Sequence, residues 1–362
     1  MKTRAAVQTA ERTIEIQEFA VPESVGPDQA LLKVEACGMC GTDHEQYVGA
    51  VRVRYPLILG HEPVGRIAAI GAEVSRLWGV GEGDRVAIEP FAPCGICANC
   101  LEGHYQLCLN RFMYGYTPTS VRPGLWGGYS RYMVLRANSV VHKLPDDLSA
   151  QDAVLFNPLG AGFEWAYRAA GTKIGDSVLI LGPGQRGLAC VIACREAGAA
   201  RIIVTGVARD AGKLALAREL GATDTINVDE EDVVVRVKEI TGGKRVDRAI
   251  DVSAFATQPI LDAIRAVKPG GTIIIAAIKG MREVPGFVSD RLVWKSITMR
   301  GVLGVGAWAY EQAIRTIAAH RYPFEKLHSH TLGVGEVGRA MRLLDGEIEG
   351  ESAVHITIVP EG

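Results

Sequence analysis

Four of the eight cysteines stand close together at a spacing typical of a bound metal. They are Cys94, Cys97, Cys100 and Cys108, in the pattern C-x2-C-x2-C-x7-C. Thiolates on two-residue spacers can turn toward one point, and four of them complete a tetrahedral zinc site that leaves no position for water. The spacing therefore predicts a structural zinc. The alternatives are reduced cysteines without metal and an iron–sulfur cluster, and the sequence lacks the tightly spaced fourth Cys-Pro pair of ferredoxins.

A second set of metal-binding side chains lies upstream, on two short segments that each follow an expected strand. Cys40 opens the segment Cys-Gly-Thr-Asp-His, and His61 and Glu62 come directly after Gly60. Zinc accepts a thiolate, an imidazole and a carboxylate, and three protein ligands leave a fourth position for substrate or water. Each residue alone is more often structural than a ligand. Together they predict a catalytic zinc.

A glycine-rich turn follows the apolar run 177–181 and precedes an expected helix that begins at Leu188. Glycines there permit a tight turn and a close approach of the backbone to a pyrophosphate, and the helix N-terminus favours the phosphates. The pattern G-x-G-x-x-G is common by itself, but the context of strand, turn and helix predicts a dinucleotide site. The candidate cofactor-binding residues of the turn are Gly182, Gly184, Gln185, Arg186 and Gly187.

The loop after the next expected strand, 201–205, bears on the choice between NAD and NADP. NAD-preferring sites usually place an acidic residue at the end of this strand, to hold the ribose hydroxyls. That position is Gly206 here, and Arg209 and Asp210 follow in a longer loop. Arg209 would bind a 2'-phosphate, whereas Asp210 would reach the hydroxyls. A third interpretation is that both only cap the next helix. The sequence leaves NAD and NADP open, with NADP favoured.

Composition and charge exclude several classes of protein. Of the 362 residues, 48% are hydrophobic and 22% are charged, which is typical of a globular protein and not of a disordered one. The formal net charge is -2 and there is no basic run, so nucleic acid is not an expected partner. Residues 1–10 lack the apolar segment of a secretory signal, and no apolar run is long enough to cross a bilayer. We expect a cytoplasmic protein with no membrane partner.

Apolar patterning divides the chain into two parts, and its length also favours two domains. Up to about residue 155, short apolar runs broken by Gly, Pro and Asp indicate a strand-rich, irregular domain. After Asp176, strands alternate with helical stretches, which predicts an α/β fold with a parallel sheet. The expected strands are 30–34, 57–59, 65–70, 85–88, 129–135, 177–181, 201–205, 246–252, 272–278, 297–303 and 355–359, and the expected helices are 188–197, 213–220, 257–267 and 309–319.

The glycines around the second metal-binding set carry a family resemblance. Gly60-His61-Glu62, Gly65, Gly71 and Val74 match the G-H-E-x2-G-x5-G-x2-V signature, so the chain resembles the zinc-containing medium-chain dehydrogenases over essentially its whole length. It looks like the branch with alcohol, sorbitol, threonine and glucose dehydrogenases. The resemblance implies a GroES-like, β-rich catalytic domain of residues 1–158 and 304–362. It also implies a Rossmann doubly wound cofactor domain of residues 159–303.

The resemblance implies roles for individual residues of the catalytic zinc site. Cys40 and His61 bind the metal, Glu62 binds it directly or lies just behind it, and Asp43 is similar to the carboxylate that orients the ligand histidine. Members of the family place Cys, Asp or Glu where Asn157 stands, and Asn offers only a neutral carbonyl oxygen. Either Asn157 or water therefore completes the coordination.

The implied reaction is the reversible oxidation of an alcohol by NAD(P), with zinc as the Lewis acid. Thr42 accepts the hydrogen bond of the hydroxyl, and the proton leaves toward His44 or solvent. Many relatives have a relay histidine where Glu45 stands, so the end of this relay stays open. Relatives form dimers or tetramers through the edge strand of the cofactor domain, for which 297–303 is the candidate. We expect a homodimer or homotetramer.

Aromatic residues leave the substrate open. The segment 112–116, Trp126 and the segment 308–310 lie where relatives build pocket walls, which favours a secondary alcohol that is lipophilic or cyclic. These side chains would equally form core or subunit contacts, and polyol or sugar oxidation is the alternative substrate class. Two rival hypotheses are a zinc-free reductase of activated alkenes and a nucleotide-binding protein that lost catalysis with Asn157 as its damaged ligand.

Overall fold

The computed structural model describes residues 1–360. The contacts within the chain divide it into two compact units. One consists of Met1–Asn157 with the residues from Ile314 onward, and the other of Pro158–Ala313. The sequence places these boundaries after residues 158 and 303. Both divisions in the structure fall inside helices, where the periodicity of the sequence continues unchanged.

Strands supply most of the first unit and the sheet of the second. The strands are β1 (Lys2–Ala10), β2 (Thr13–Ala20), β3 (Ala30–Met39), β4 (Leu57–Ile58), β5 (Glu62–Ile70), β6 (Arg85–Ile88), β7 (Phe91–Ala92), β8 (Phe112–Met113), β9 (Tyr132–Leu135), β10 (Val141–Lys143), β11 (Ser177–Leu181), β12 (Arg201–Gly206), β13 (Asp224–Asn227), β14 (Val246–Asp251), β15 (Val267–Ile275), β16 (Thr298–Gly301), β17 (His328–Gly333) and β18 (His355–Val359).

Helices are short in the first unit and longer in the second. The α-helices are α1 (Gly41–Tyr47), α2 (Ala72–Trp78), α3 (Ala98–Leu101), α4 (Ala150–Ala153), α5 (Phe156–Gly162), α6 (Gln185–Glu196), α7 (Ala211–Leu220), α8 (Val233–Ile240), α9 (Gln258–Ala266), α10 (Asp290–Lys295), α11 (Ala307–Ala318) and α12 (Val337–Asp345). A π-helical segment, Phe163–Ala169, continues directly from α5. Within residues 1–360, none of the helices combines the length and the apolar character that a membrane span requires.

The first unit is organised around β3, which is buried along most of its length because apolar residues occupy both of its faces. Among the described residues, β3 lies in a seven-stranded sheet of order β10-β6-β5-β3-β18-β17, with β9 also paired to β3. The register of β3 and β5 is antiparallel and places Gly38 opposite Glu62. The tail of the chain joins the same sheet, because Ile356 of β18 pairs with Met39. The ends of three strands therefore meet where Cys40 begins the next element.

The second unit contains a parallel sheet, six-stranded over the described residues, in the order β13-β12-β11-β14-β15-β16. Its strands are connected through helices, as parallel pairing requires. Leu179 and Leu181 of β11 share a hydrophobic core with Val237 of α8 and Ile264 of α9. Side chains alternate along a strand, so Val178 and Ile180 point to the opposite face of the sheet. The predicted fold class, an α/β protein with a Rossmann-type sheet and a β-rich GroES-like part, is confirmed.

Several elements differ from the sequence-based expectation. Helix α6 begins at Gln185, one turn before the expected Leu188, because Gly184 has extended backbone angles and acts as the N-cap. Strand β15 begins at Val267 instead of residue 272, so the expected helix and strand meet without a loop. The first hairpin is not predicted from the sequence. Strands β1 and β2 pair from Lys2↔Ala20 to Ala10↔Thr13, and the polar, half-exposed face of β2 obscures the apolar pattern there.

Candidate active site and metal centres

Two strand ends bring the second metal-binding set together. Cys40 follows β3 and is the N-cap of α1, whereas Glu62 is the first residue of β5. Since Gly38 pairs with Glu62 in the antiparallel register, the end of β3 lies beside the start of β5. His61 immediately precedes β5. Cys40 and His61, which lie about twenty residues apart in the sequence, are therefore neighbours in the fold.

Cys40, His61 and Glu62 each direct one ligand atom to a common region, and these atoms all lie within 4.8 Å of one another. All three residues are buried. A sulfur, an imidazole nitrogen and a carboxylate oxygen are donors that zinc accepts, and a buried group of this kind matches the three-ligand pattern of catalytic sites. The donor set therefore fits a zinc ion with a fourth position for another ligand.

Asp43 lies behind the histidine of this group. Its Oδ1 atom is 3.2 Å from Nδ1 of His61, and its Oδ2 atom accepts hydrogen bonds from the Cys40 N–H and the Tyr129 hydroxyl, both at 2.9 Å. Asp43 is fully buried. Burial opposes a charge on His61, but the Asp43 carboxylate and, to a smaller extent, the Cys40 thiol together raise the pKa of His61 well above its usual range. This contact fixes the ring so that Nε2 is the nitrogen directed away from Asp43.

Three other polar residues of α1 make contacts of their own, and Thr42 borders the metal-binding group. The Oγ1 atom of Thr42 lies 3.4 Å from Sγ of Cys40. Nε2 of His44 lies 3.1 Å from Oδ1 of Asp345, the last residue of α12. Burial, together with the Cys40 and Asp43 groups, raises the pKa of the Glu45 carboxyl to about 7. The sequence predicts Thr42, His44 and Glu45 at this site but not Asp345, which is distant in the chain.

A close backbone contact explains one glycine of the signature. A Cβ atom on Gly65 would lie 2.2 Å from the carbonyl oxygen of Lys33 and 2.8 Å from Cα of Val34, both on β3. No side chain fits at that separation. Gly65 therefore allows β5 to approach β3 closely, and this approach sets the position of His61 and Glu62 relative to Cys40.

The four-cysteine segment forms a compact lobe, in which the four sulfur atoms lie within 4.8 Å of one another. The eight cysteines are all free thiols in the structure. Sγ of Cys97 is 3.5 Å from that of Cys100 and 3.9 Å from that of Cys108. Hydrogen bonds from the backbone N–H groups of Leu109 and Cys100 lower the pKa of the Cys97 thiol to about 6. Four sulfurs at these distances match the closed tetrahedral site of a structural zinc.

A buried carboxylate ties this lobe to the sheet. Glu89 accepts a hydrogen bond from the hydroxyl of Tyr105, a lobe residue, at 2.6 Å. Its other oxygen is 2.8 Å from Nε2 of His142 on β10. Glu89 is fully buried, so its charge needs such partners. No sequence motif marks this contact, because its members come from three separate segments.

The glycine-rich turn joins β11 to α6 as the sequence predicts. A Cβ atom on Gly187 would lie 1.9 Å from the carbonyl oxygen of Gly182, so only glycine permits this turn. Helix α6 has 12 residues, and Gln185 and Arg186 lie in its first turn next to the N-cap Gly184. The N–H groups of this turn and the helix dipole favour a pyrophosphate.

The structure of the loop after β12 shows that Arg209 and Asp210 have different environments. Gly206 ends β12, so no carboxylate occupies the end of that strand. Oδ2 of Asp210 accepts a hydrogen bond from Val207 N–H at 3.4 Å, and Oδ1 lies 3.3 Å from Nζ of Lys213. Asp210 thus takes part in the turn that begins α7, whereas Arg209 is exposed.

Two of the aromatic residues expected to line a pocket belong to the core instead. Tyr114 is fully buried and its hydroxyl lies 2.5 Å from that of Ser139. Trp126 donates a hydrogen bond to the carbonyl oxygen of Val121 at 2.7 Å and packs in the same core. By contrast, the ring of Tyr116 lies 5.9 Å from that of His61. Tyr116 therefore borders the metal-binding group.

Comparison with known proteins agrees with this geometry. Residues 26–146 match the family described as alcohol dehydrogenase GroES-like domain, and residues 187–319 match the family described as zinc-binding dehydrogenase. The chain is 42% identical to a protein of Mycobacterium tuberculosis named "Probable alcohol dehydrogenase", over 99% of this chain and 98% of that one. The chain belongs to the zinc-containing medium-chain dehydrogenases. This dehydrogenase is also 35% identical to sorbitol dehydrogenase of Bacillus subtilis, with 79% of each chain covered.

Solved structures support the same family. An alcohol dehydrogenase of Thermotoga maritima has a TM-score of 0.88 and 25% identity, with both chains fully covered. A zinc-binding dehydrogenase of Sinorhizobium meliloti, solved with NADP bound, also has a TM-score of 0.88, with 26% identity over 99% of this chain and 100% of that one. The dehydrogenase is thus a zinc-dependent, NAD(P)-linked oxidoreductase of the alcohol and polyol class.

Proposed function

We propose that this dehydrogenase oxidises a secondary alcohol at a zinc ion held by Cys40, His61 and Glu62. The observation that carries the proposal is the convergence of these three buried ligand atoms within 4.8 Å, with Asp43 fixing the histidine from behind. Asn157, which is buried at the start of α5, is the proposed source of a further neutral oxygen ligand, with water as the alternative. The lobe of Cys94, Cys97, Cys100 and Cys108 holds the second, structural zinc.

Zinc bound at such a site supplies a Lewis acid that lowers the proton affinity of an alcohol, and the dinucleotide accepts the hydride. Residues of α1 accept the proton of the substrate hydroxyl and transfer it to solvent. Oγ1 of Thr42, beside Cys40, accepts the hydrogen bond of the substrate hydroxyl. His44, paired with Asp345, is the proposed group from which the proton passes to solvent. Asp43 holds the His61 ring in one orientation, with Nε2 as the nitrogen that would bind the metal.

A panel of alcohols and carbonyl compounds tests the proposed substrate. With the zinc-loaded protein, we expect the highest kcat/KM for monohydric secondary alcohols. The aromatic ring of Tyr116 borders the metal-binding group and offers an apolar surface to the carbon chain of such a substrate. Each compound is assayed separately with NAD and NADP. Turnover of activated alkenes in place of alcohols would contradict the proposal.

Polyol oxidation is the second candidate, and Glu45 is the observation that favours it. This carboxyl is buried, and burial with the nearby Cys40 and Asp43 groups raises its pKa to about 7; its protonated form can donate a hydrogen bond to a second hydroxyl and its ionised form can accept one. If kcat/KM for a vicinal diol exceeds that for the matching monohydric alcohol, the polyol assignment replaces the first one.

We propose NADP as the preferred cofactor, because Gly206 removes the carboxylate that would repel a 2'-phosphate and the guanidinium of Arg209 is exposed in the same loop. Replacing Arg209 with Gln should lower kcat/KM for NADP about tenfold and leave the value for NAD unchanged, since one charge-assisted hydrogen bond is lost. Arg201→Gln, at the other end of β12, is the matched control. A wild-type preference for NAD would show that the proposal is wrong.

We propose that copies of the chain associate through β16, and that the protein is a homodimer or homotetramer. This strand ends the sheet, so one row of its backbone groups has no partner strand among the described residues. Val293 and Trp294 of the preceding α10 are 75% and 79% exposed, which is unusual for apolar side chains this large. Exposed apolar residues next to a sheet edge are typical of an association surface.

Replacing both Val293 and Trp294 with Glu should reduce the particle mass by at least half, because four charges would be buried in each two-fold contact. Light scattering coupled to size exclusion measures this. Val235→Glu, at an exposed position of α8, is the control that should leave the mass unchanged. An unchanged mass for the double variant would exclude α10 from the contact.

Thiol chemistry supports a cytoplasmic location for the protein. The lobe must keep four cysteines reduced to bind zinc, and a reducing compartment maintains such thiols. All of these cysteines are free in the structure. We therefore propose the cytoplasm.

A further inference from the structure

A buried ion pair lies at the carboxyl end of the parallel sheet, where the sequence analysis assigned no residue. Asp251, the last residue of β14, is fully buried, and its Oδ2 atom is 2.8 Å from Nζ of Lys279. Lys279 follows β15 by four residues, and its side chain is 9% exposed. Oδ1 of Asp251 accepts the N–H of Ser253 at 3.0 Å. Both oxygens of the carboxylate are therefore occupied within the loop region.

One N–H bond of the Lys279 ammonium group has no partner among residues 1–360. An ammonium carries three N–H bonds. Among residues 1–360, Asp251 and the carbonyl oxygen of Ser253 are its hydrogen-bond partners. The lysine side chain is 9% exposed, so part of it faces solvent at this end of the sheet. The third N–H is available to an oxygen atom of a ligand bound there.

The topology of the sheet identifies that ligand. The order β13-β12-β11-β14-β15-β16 reverses direction between β11 and β14, and in such sheets a dinucleotide lies across this switch point, with one mononucleotide on each half. The diphosphate lies at the turn after β11, and Gly206 marks the adenosine side at the end of β12. Asp251 and Lys279 belong to the other half. They therefore lie on the side of the nicotinamide mononucleotide.

The ion pair is also close to the diphosphate turn. A Cβ atom on Gly182 would lie 3.1 Å from Oγ of Ser253, and that hydroxyl donates to the carbonyl oxygen of Leu181 at 2.7 Å. Lys279 donates to the backbone of the same serine. The ribose is the next chemical group after the diphosphate in a dinucleotide, and its hydroxyls accept hydrogen bonds from an ammonium. An ammonium directly against the oxidised nicotinamide ring would instead meet a positive charge.

We propose that Lys279, held by Asp251, donates a hydrogen bond to a hydroxyl of the nicotinamide ribose. The assignment rests on the proposed dinucleotide site at the glycine-rich turn, and it adds a positioning contact on the other half of the sheet. A buried ion pair contributes little net stability, because desolvation offsets the attraction. The contribution of this ion pair to folding therefore does not explain its presence, whereas a contact with a bound ligand would.

The same two strands carry a second ion pair that serves as an internal control. At the amino end of the sheet, Lys268 of β15 pairs with Asp247 of β14, and the lysine side chain is 45% exposed. This pair joins the same neighbouring strands but lies at the end opposite the proposed cofactor. If ion pairs here only connect strands, removing either lysine should affect ligand binding in the same way.

Calorimetric titration of the full-length, zinc-loaded protein tests the assignment with three probes. They are the preferred reduced dinucleotide, the matching ADP-ribose that lacks the nicotinamide ring, and the matching adenosine monophosphate that lacks the second ribose. Lys279→Met should raise the Kd of the first two about tenfold, the loss expected for one hydrogen bond from a charged donor. The Kd of the third should not change, and Lys268→Met should leave all three unchanged.

A variant with both charges removed distinguishes the loss of a ligand contact from misfolding caused by an unpaired buried charge. Lys279→Met leaves Asp251 buried without its cation, whereas Asp251→Asn combined with Lys279→Met leaves no buried charge. The double variant should show the same tenfold loss. Equal weakening of all three probes, no weakening, or loss confined to the full dinucleotide would overturn the ribose assignment. Failure of the wild-type protein to bind any probe would instead overturn the proposed dinucleotide site.

Discussion

Replacing Cys40 with Ala lowers kcat/KM for alcohol oxidation by about a thousandfold or more, because the Lewis acid supplies several kcal/mol of the stabilisation that the reaction needs. The zinc content should fall from about two ions per chain to about one, since the lobe is unaffected. Binding of the dinucleotide should stay within about twofold of the wild type, because the glycine-rich turn belongs to the other compact unit. Metal analysis and titration with the reduced dinucleotide measure these two quantities.

Cys37→Ala is the matched control for this experiment. Cys37 is a buried thiol on β3, three residues before Cys40. It donates a hydrogen bond to the carbonyl oxygen of Gly38 and is not a member of the metal-binding group. We expect this variant to retain two zinc ions and its activity. If Cys40→Ala retained turnover with one zinc ion, the proposed role of the metal at this position would be wrong.

Replacing Cys100 with Ser should destabilise the protein without direct damage to the catalytic ligands. Cys100 is one of the four sulfurs of the lobe, and a structural zinc contributes folding free energy. We expect the free energy of unfolding to fall by about 4 kcal/mol and the apparent melting temperature to fall by roughly 10 °C. The zinc content should again fall to about one ion per chain, but kcat measured at low temperature should change little.

His104→Ala provides the control within the same lobe. His104 lies between Cys100 and Cys108 and is exposed, and it is not a member of the four-sulfur group. This variant should retain both zinc ions and the wild-type melting temperature. A Cys100→Ser protein that retained two zinc ions would show that Cys100 is not a required ligand, and one that lost a zinc ion with unchanged melting would show that the lobe does not depend on its metal.

Local spacing made the four-cysteine lobe predictable, whereas the second metal-binding group also needed the family signature, because Cys40 lies about twenty residues before His61. The lobe cysteines lie on one short segment, and His61 and Glu62 are adjacent, so neighbouring residues in the sequence stay neighbours in the structure. The parallel sheet was predictable for a similar reason, because alternating strands and helices leave few topologies. The position of Gly65 in the signature had a physical basis that appeared only in the structure, as the close contact with Lys33.

Residues that act across the fold were not predictable. Asp345 reaches His44 from a helix near the end of the chain, and Glu89 connects Tyr105 to His142 through pairings that no local pattern records. Tyr114 and Trp126 resembled pocket walls because burial in a core and burial beside a substrate require the same residue types. Their hydrogen bonds to Ser139 and Val121 distinguish the two cases, and only coordinates show them.

Diffraction from zinc-loaded crystals at the zinc absorption edge tests the central claim most directly. We predict two anomalous peaks per chain, one among the four lobe sulfurs and one about 2.3 Å from Sγ of Cys40 and about 2.1 Å from Nε2 of His61. A single peak at the lobe, with no metal between Cys40 and His61 in fully loaded protein, would contradict the proposed catalytic site.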